Sequence, residues 1–269
     1  MIGLESSSVA HQILASEAQL IAVLERHDKG ELNMYNPLVY AVDPHCSYVC
    51  KYGDSEKPIL FVGMSATPYG MAQTGVPFGN LKHVRDYLGL SNFDVKSPKN
   101  EHPKLPITGW ETLRNDQEGN RFWKFFESRY SAKEFTKKCY VTTYCPVLYL
   151  DQKGKEVPPP CLPHVLRNQV INVCDMHIID IVDILRPSII VAVGGFTHQQ
   201  VGKLFCSREV GPLVFPLLHP APSNPASLKR WNNIVNDQLV FAGVPQMIAG
   251  SNYVPSTKEE KKKKRCSKE

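Results

Sequence analysis

The chain has 269 residues, a net charge of +5, 42% hydrophobic and 21% charged residues. That is enough apolar material for a buried core and a length that suits one α/β domain better than two, so a chain disordered throughout is excluded. The longest apolar stretch, 176–196, is broken by Asp180, Asp183 and Arg186, and the opening MIGLESSSVAHQ lacks the basic and apolar regions of a signal peptide, so neither a membrane span nor secretion is expected.

In chain order, residues 9–26 place Ile13, Leu20, Ile21 and Leu24 on one face and predict a helix that ends at Asp28–Gly30. The stretch YNPLVYAVDPHCSYVCKYG (35–53), with two prolines, reads as loop-rich. Four short apolar runs read as strands: Pro58–Met64, Cys139–Thr143, Ser188–Gly194 and Pro212–His219. Each is almost continuously hydrophobic, as in a parallel sheet covered on both faces. Helical segments are expected at His83–Leu88, Arg121–Ser128, Leu166–Leu185, Thr197–Phe205 and Ala226–Leu239. The alternation predicts a three-layer α/β fold, with a central four-stranded, mainly parallel sheet and helices on both faces. Residues 1–30 are expected to form an N-terminal helix packed on a domain of residues 31–250, and 251–269 a disordered tail.

Charge is concentrated at that tail. Residues 256–269 hold seven Lys/Arg and three Glu, leaving the rest of the chain at about +1. The tail suits a nuclear import signal, a nucleic-acid tether or a solvated end. Eight cysteines include no CxxC, and Cys46 and Cys50 have no second pair at zinc-finger spacing. No metal is expected, and a reducing compartment fits. GxGxxG and GxxxxGK[ST] are absent, which argues against dinucleotide and P-loop nucleotide sites.

Ligands of parallel α/β sheets bind beyond the carboxyl ends of the strands. There the chain collects its polar and glycine-rich segments: Ser65–Gly79, Thr142–Pro146, Gly194–Gly195 and His219–Pro225. Two of these segments carry a resemblance. GMSATPYGMAQTGVPFG (63–79) and LLHPAPSNP (217–225) resemble the signature segments of the uracil-DNA glycosylase superfamily, most closely its single-strand-selective monofunctional branch. YNPLVYAVDPH (35–45), RFWKFF (121–126) and YCPVLYL (144–150) are similar to the same branch, so the likeness runs from about Tyr35 to Trp231.

The resemblance implies removal of uracil or oxidised uracil from DNA by hydrolysis of the N-glycosidic bond after base flipping, by a nuclear, monomeric DNA-repair enzyme that needs no cofactor. It implies that His219 donates to the base carbonyl and that Phe78 stacks on the flipped base. Gly63, Met64, Thr67, Gly70, Met71 and Thr143 fall at positions that line the base pocket. Gly194, Gly195, Pro220, Pro222, Ser223 and Asn224 fall at DNA-contacting positions, and Lys229 and Arg230 lie close enough to supply phosphate contacts. A core histidine, a core phenylalanine and a solvated helix face are the plain alternatives for His219, Phe78 and Lys229–Arg230.

Four positions depart from the family pattern; at one, Thr67 stands where the family has Gly and adds a branched side chain beside the pocket, and the other three each change a separate job. Ser65 stands where an Asn usually holds the attacking water; Thr143 stands where a second Asn reads the pyrimidine edge; Ser223 replaces the Arg that wedges into the duplex. A hydroxyl serves one atom at a time, whereas an amide donates and accepts together. Two expectations follow. The first is a glycosylase of reduced or altered activity that prefers single-stranded DNA. The second is a protein that binds DNA or a flipped base without cleaving it. A nucleotide- or metabolite-handling α/β enzyme is a third and less supported reading.

Overall fold

The computed structural model describes residues 8–206, 210–221 and 225–250. Pro222, Ser223, Asn224 and the basic tail therefore lie outside the described residues.

Ser8 begins helix α1 (Val9–Leu24) by accepting a hydrogen bond from the His11 N–H at 3.2 Å. Ile13, Leu20 and Leu24 are buried, and α1 packs on the long helix α8 (His164–Leu185). The stretch expected to be loop-rich is helical: α2 covers Pro37–Tyr40 and α3 covers Val42–Tyr52. Pro37 and Pro44 sit in first turns, where the missing N–H has no helical partner to lose, so they start helices here.

The sheet order is β3 (Cys139–Cys145), β2 (Ile59–Ser65), β5 (Ile189–Val193), β6 (Leu213–Leu217), and all three pairings are parallel. The register aligns Phe61 with Val141 and Val191, and Val191 with Phe215. Strands β2, β3 and β5 are buried along nearly their whole length. The last strand departs from expectation. It lies at the sheet edge with Leu213 64% exposed, and it contains Pro216. An edge strand tolerates a proline because one row of its backbone groups has no neighbour to pair with.

Side chains alternate across the sheet. On one face Phe61 meets Phe122 and Phe126 of α6 (Gln117–Glu127) and Phe135 of α7 (Ala132–Lys138), with centroids 5.2–5.8 Å apart. On the other, Tyr140 packs against Tyr48 of α3, and Tyr144 donates to Asp175 of α8 at 2.6 Å. Short helices α4 (Met71–Thr74) and α5 (Leu81–Asp86) follow β2, two residues ahead of the expected helix at 83. Helix α9 (Gly195–Phe205) joins β5 to β6, and α10 (Pro225–Phe241) and α11 (Val244–Ala249) are the last elements among the described residues. Outside the main sheet, β1 (Asn33–Tyr35) pairs antiparallel with β4 (Leu148–Leu150), and a bridge from Leu150 to Glu156 turns the chain back toward the sheet's carboxyl edge. Among the described residues no helix is long and apolar enough to cross a membrane.

Candidate active site

At that edge Met64, Ser65, Thr67, Phe78, Glu118, Thr143, Glu156 and His219 line one cavity of about 30 Å³. At roughly 10–15 Å³ per water, this is room for about two waters. A base entering it must displace the side chains that reach in.

His219 follows β6 and packs against Gly194, the residue after β5. Gly194 has φ +92°, and a Cβ there would lie 2.8 Å from the His219 ring carbon Cδ2. A glycine is therefore required at this approach. The Ala221 N–H donates to His219 Nδ1 at 3.2 Å, so the neutral ring carries its proton on Nε2. Burial lowers the His219 pKa, which keeps the ring neutral near pH 7. The result is an N–H donor in the cavity wall that brings no positive charge.

Phe78 stacks on Phe122 at 4.2 Å with planes 7° apart. Its ring edge lies over Gly63, where a Cβ would come within 2.8 Å. Phe78 also has φ +51°, a left-handed conformation that is strained for a bulky residue. The Asn80 N–H, at 2.7 Å from the Phe78 carbonyl, helps hold it there. The loop around it is fixed by Gln73, whose Nε2 donates to the Pro68 and Pro106 carbonyls and whose Oε1 accepts from the Thr108 and Gly109 N–H groups. His45 adds a second tie, donating from Nδ1 to the Gly75 carbonyl while Nε2 pairs with Glu17 of α1, both at 2.8 Å.

Of the other expected residues, Thr143 is buried and donates to the Met71 sulfur at 3.6 Å. Met71 lies behind Thr143 and is outside the cavity lining. Gly70 packs against Thr67 and Asp116, Gly195 is exposed at the start of α9, and Pro220 is buried. Lys229 and Arg230 are exposed on α10.

Sequence reasoning missed the acids. Asp116 caps α6 by accepting the Gly119 N–H at 2.8 Å, and burial pushes its pKa up to about 6. The buried Thr67 hydroxyl faces that carboxyl without forming a well-shaped hydrogen bond. Glu118, on the first turn of α6, is pushed up to about 8 by burial and then by the charges of Asp116 and Glu156, against the pull of Arg121. Its carboxyl lies 3.8 Å from His219 Nε2. Glu156 is pushed up to about 7 by burial and Asp116. These acids sit in the polar runs RNDQEGN and DQKGKE, which read locally as turns; only burial marks them. Among the described residues no group of three His, Cys, Asp or Glu has an arrangement that could hold a metal ion.

A second, larger groove of about 690 Å³ runs between α6 and α10. Arg121, Lys124, Lys229 and Arg230 line it with Asn, Gln and Ser, and no acid is among the lining residues. Arg121 also donates to the Pro220 carbonyl, which joins this groove to the loop that carries His219.

Fold and site together define a three-layer α/β protein with a small polar pocket at the carboxyl edge of a parallel sheet and a basic groove beside it. The model of the uracil DNA glycosylase superfamily matches residues 50–238. The single-strand selective monofunctional uracil DNA glycosylase of Bos taurus is 38% identical over 244 residues, covering 90% of this chain and 89% of that protein. The Rattus norvegicus protein of the same name is 35% identical over 253 residues, covering 93% and 91%. The crystal structure of wild-type SMUG2 from Pedobacter heparinus shares the fold, with a TM-score of 0.61 at 14% identity over 88% of this chain and 98% of that one. The chain belongs to the uracil-DNA glycosylase superfamily.

Proposed function

We infer that the protein is a DNA repair glycosylase that excises uracil, or an oxidised uracil such as 5-hydroxymethyluracil, by hydrolysing the N-glycosidic bond of a flipped nucleotide. The observation that carries this reading is the pairing of a neutral N–H donor, His219 Nε2, with an aromatic platform, Phe78 backed by Phe122, in one pocket. A flipped pyrimidine entering it would become the third ring of the stack. The His219 donor would meet the base oxygen on which negative charge develops as the bond breaks. Ser65 would hold the attacking water, and Thr143 would contact the pyrimidine edge. The chemistry calls for no cofactor or metal.

The α6–α10 groove supplies four cations for phosphates of the strand that leads into the pocket. Single-stranded or unpaired DNA is the favoured partner, because flipping out of a duplex costs a few kcal/mol in unstacking and unpairing. The single-strand selectivity named for the two mammalian relatives supports the same preference. The protein acts as a monomer in the nucleus, with the basic tail as import signal or DNA tether.

Ser65 and Thr143 favour a second reading, a base-binding protein without activity. A single-turnover assay on single-stranded DNA with uracil or 5-hydroxymethyluracil separates the two. Excision by the wild type that is lost in His219→Leu supports the glycosylase. A wild type that binds these strands without cutting them, and gains activity as Ser65→Asn, supports the binder.

A further inference from the structure

Hydrolysis needs a group that takes a proton from the attacking water, and the pocket restricts which one it is. His219 cannot serve, because Nδ1 is occupied by the Ala221 N–H and Nε2 carries the hydrogen. The Thr143 hydroxyl is directed at the Met71 sulfur. Ser65 and Thr67 offer hydroxyls, which hold a water but are not bases near neutral pH. Met64 and Phe78 are apolar. Two lining groups remain, the carboxyls of Glu118 and Glu156.

Glu118 has the better placement. It stands on the first turn of an eleven-residue helix that packs Phe122 and Phe126 into the core, so its backbone is fixed. Its carboxyl is 3.8 Å from His219 Nε2. A cavity with room for about two waters puts a water held by Ser65 within reach of the other polar groups lining it. Glu156 lines the same cavity from the turn after β4, which the Leu150–Glu156 bridge and backbone hydrogen bonds from Val157 to Tyr149 and from Asp151 to Lys155 hold in place.

We propose that Glu118 is a catalytic residue of this pocket, the general base that accepts the proton of the water attacking the sugar, and that Glu156, which lines the same small cavity, is a positioning residue. The proposal rests on the glycosidic reading above. In the step, the C1′–N bond breaks and its electron pair leaves on the base, which hydrogen-bonds His219 Nε2–H. The water oxygen bonds C1′, and its proton passes to the Glu118 carboxylate. Glu118 later loses that proton to solvent, and the base anion takes one from solvent. A base must be ionised to act, and Glu118 at about 8 is largely protonated at neutral pH, so the rate rises with pH. The charged or titratable groups facing it are Asp116 and Arg121 of its own segment, Glu156 from the β4 turn and His219 from the end of β6.

The test is single-turnover excision of uracil from single-stranded DNA between about pH 5.5 and 9.5, with wild type, Glu118→Gln and Glu156→Gln. Melting curves confirm folding, and binding is measured on strands carrying an uncleavable 2′-fluoro nucleotide. The proposal expects a wild-type rate that climbs through about pH 8. It expects Glu118→Gln to lose on the order of 10²–10⁴-fold, the usual share of a general base, with a flat profile and unchanged affinity. It expects Glu156→Gln to keep the maximal rate with the midpoint moved to lower pH, since a like charge has gone. A folded Glu118→Gln that excises at the wild-type rate overturns the proposal and leaves the glycosylase reading standing. A wild type without excision at any pH overturns both.

Discussion

Replacing Glu118 by glutamine should stabilise the protein, and by more as the pH rises. The carboxyl moves from an ordinary 4.5 to about 8 on folding. An acid with a raised folded pKa contributes stability that is complete below its unfolded pKa and is lost as pH rises through the folded value. At about 1.4 kcal/mol per unit, the 4.5-to-8 gap amounts to at most about 5 kcal/mol by about pH 9, of which about 1 kcal/mol has already gone at about pH 5. Glutamine keeps the shape and carries no charge at either pH. The variant's advantage should therefore grow by up to about 4 kcal/mol between the two conditions, a Tm difference of order 10 °C at ~2–4 °C per kcal/mol. Asp116 and Glu156 remain, so the variant's own stability still declines with pH, with a gentler slope. Urea and thermal melts of both proteins at the two pH values measure this. A difference that is the same at pH 5 and pH 9, or a variant that is less stable at pH 9, would refute the reasoning that Glu118 is held protonated by burial and its neighbours.

Four further outcomes are expected. His219→Leu should retain the wild-type melting temperature to within a few degrees and lose excision by about 10²–10³-fold, the usual effect of removing one donor to a developing anion, read in single turnover. Gly194→Ala places a methyl against the His219 ring at a positive φ, so it should lower both Tm and excision rate, whereas Gly195→Ala, at an open position, should leave Tm unchanged. Lys124→Ala and Lys229→Ala should each weaken binding to single-stranded DNA and reduce the slope of log K against log salt by about 0.7 for each phosphate no longer neutralised; an unchanged slope would remove that lysine from the DNA path. Glu17→Ala leaves His45 buried without its partner and should destabilise by about 3–5 kcal/mol in urea melts. The His45 pKa is raised in the fold, so that contribution is complete below pH 6.5 and fades as pH rises through the folded value.

Strands β2, β3 and β5 were legible because burial on both faces leaves an uninterrupted apolar run, and all four strand starts fall within a residue of expectation. The exposed edge of β6 was not legible, because LVFPL looks the same in sequence whether one face is covered or two. Pro37 and Pro44 misled for a different reason: a proline ends a helix or opens one depending on which side of it the turns form. In the pocket, Ser65, Thr67, Phe78 and His219 were legible through the two segments that carry them, 63–79 and 217–225, and Thr143 through its place near the carboxyl end of a strand; all five converge on one cavity. Glu118 and Glu156 lie 38 positions apart on a helix start and a turn, and nothing local distinguishes them from solvated acids. Their significance arises only when the Leu150–Glu156 bridge and the Asp116 cap bring both into the lining of one cavity.

The link from Glu17 through His45 to the Gly75 carbonyl gives the first helix an influence beyond its own packing. Gly75 is three residues before the aromatic platform, so whatever displaces α1 also loosens the segment that presents Phe78. A fusion partner spliced into the first turns of α1, or a protease cut between α1 and α3, would thus act as an inhibitor at a distance, lowering turnover while every group of the pocket stayed chemically intact.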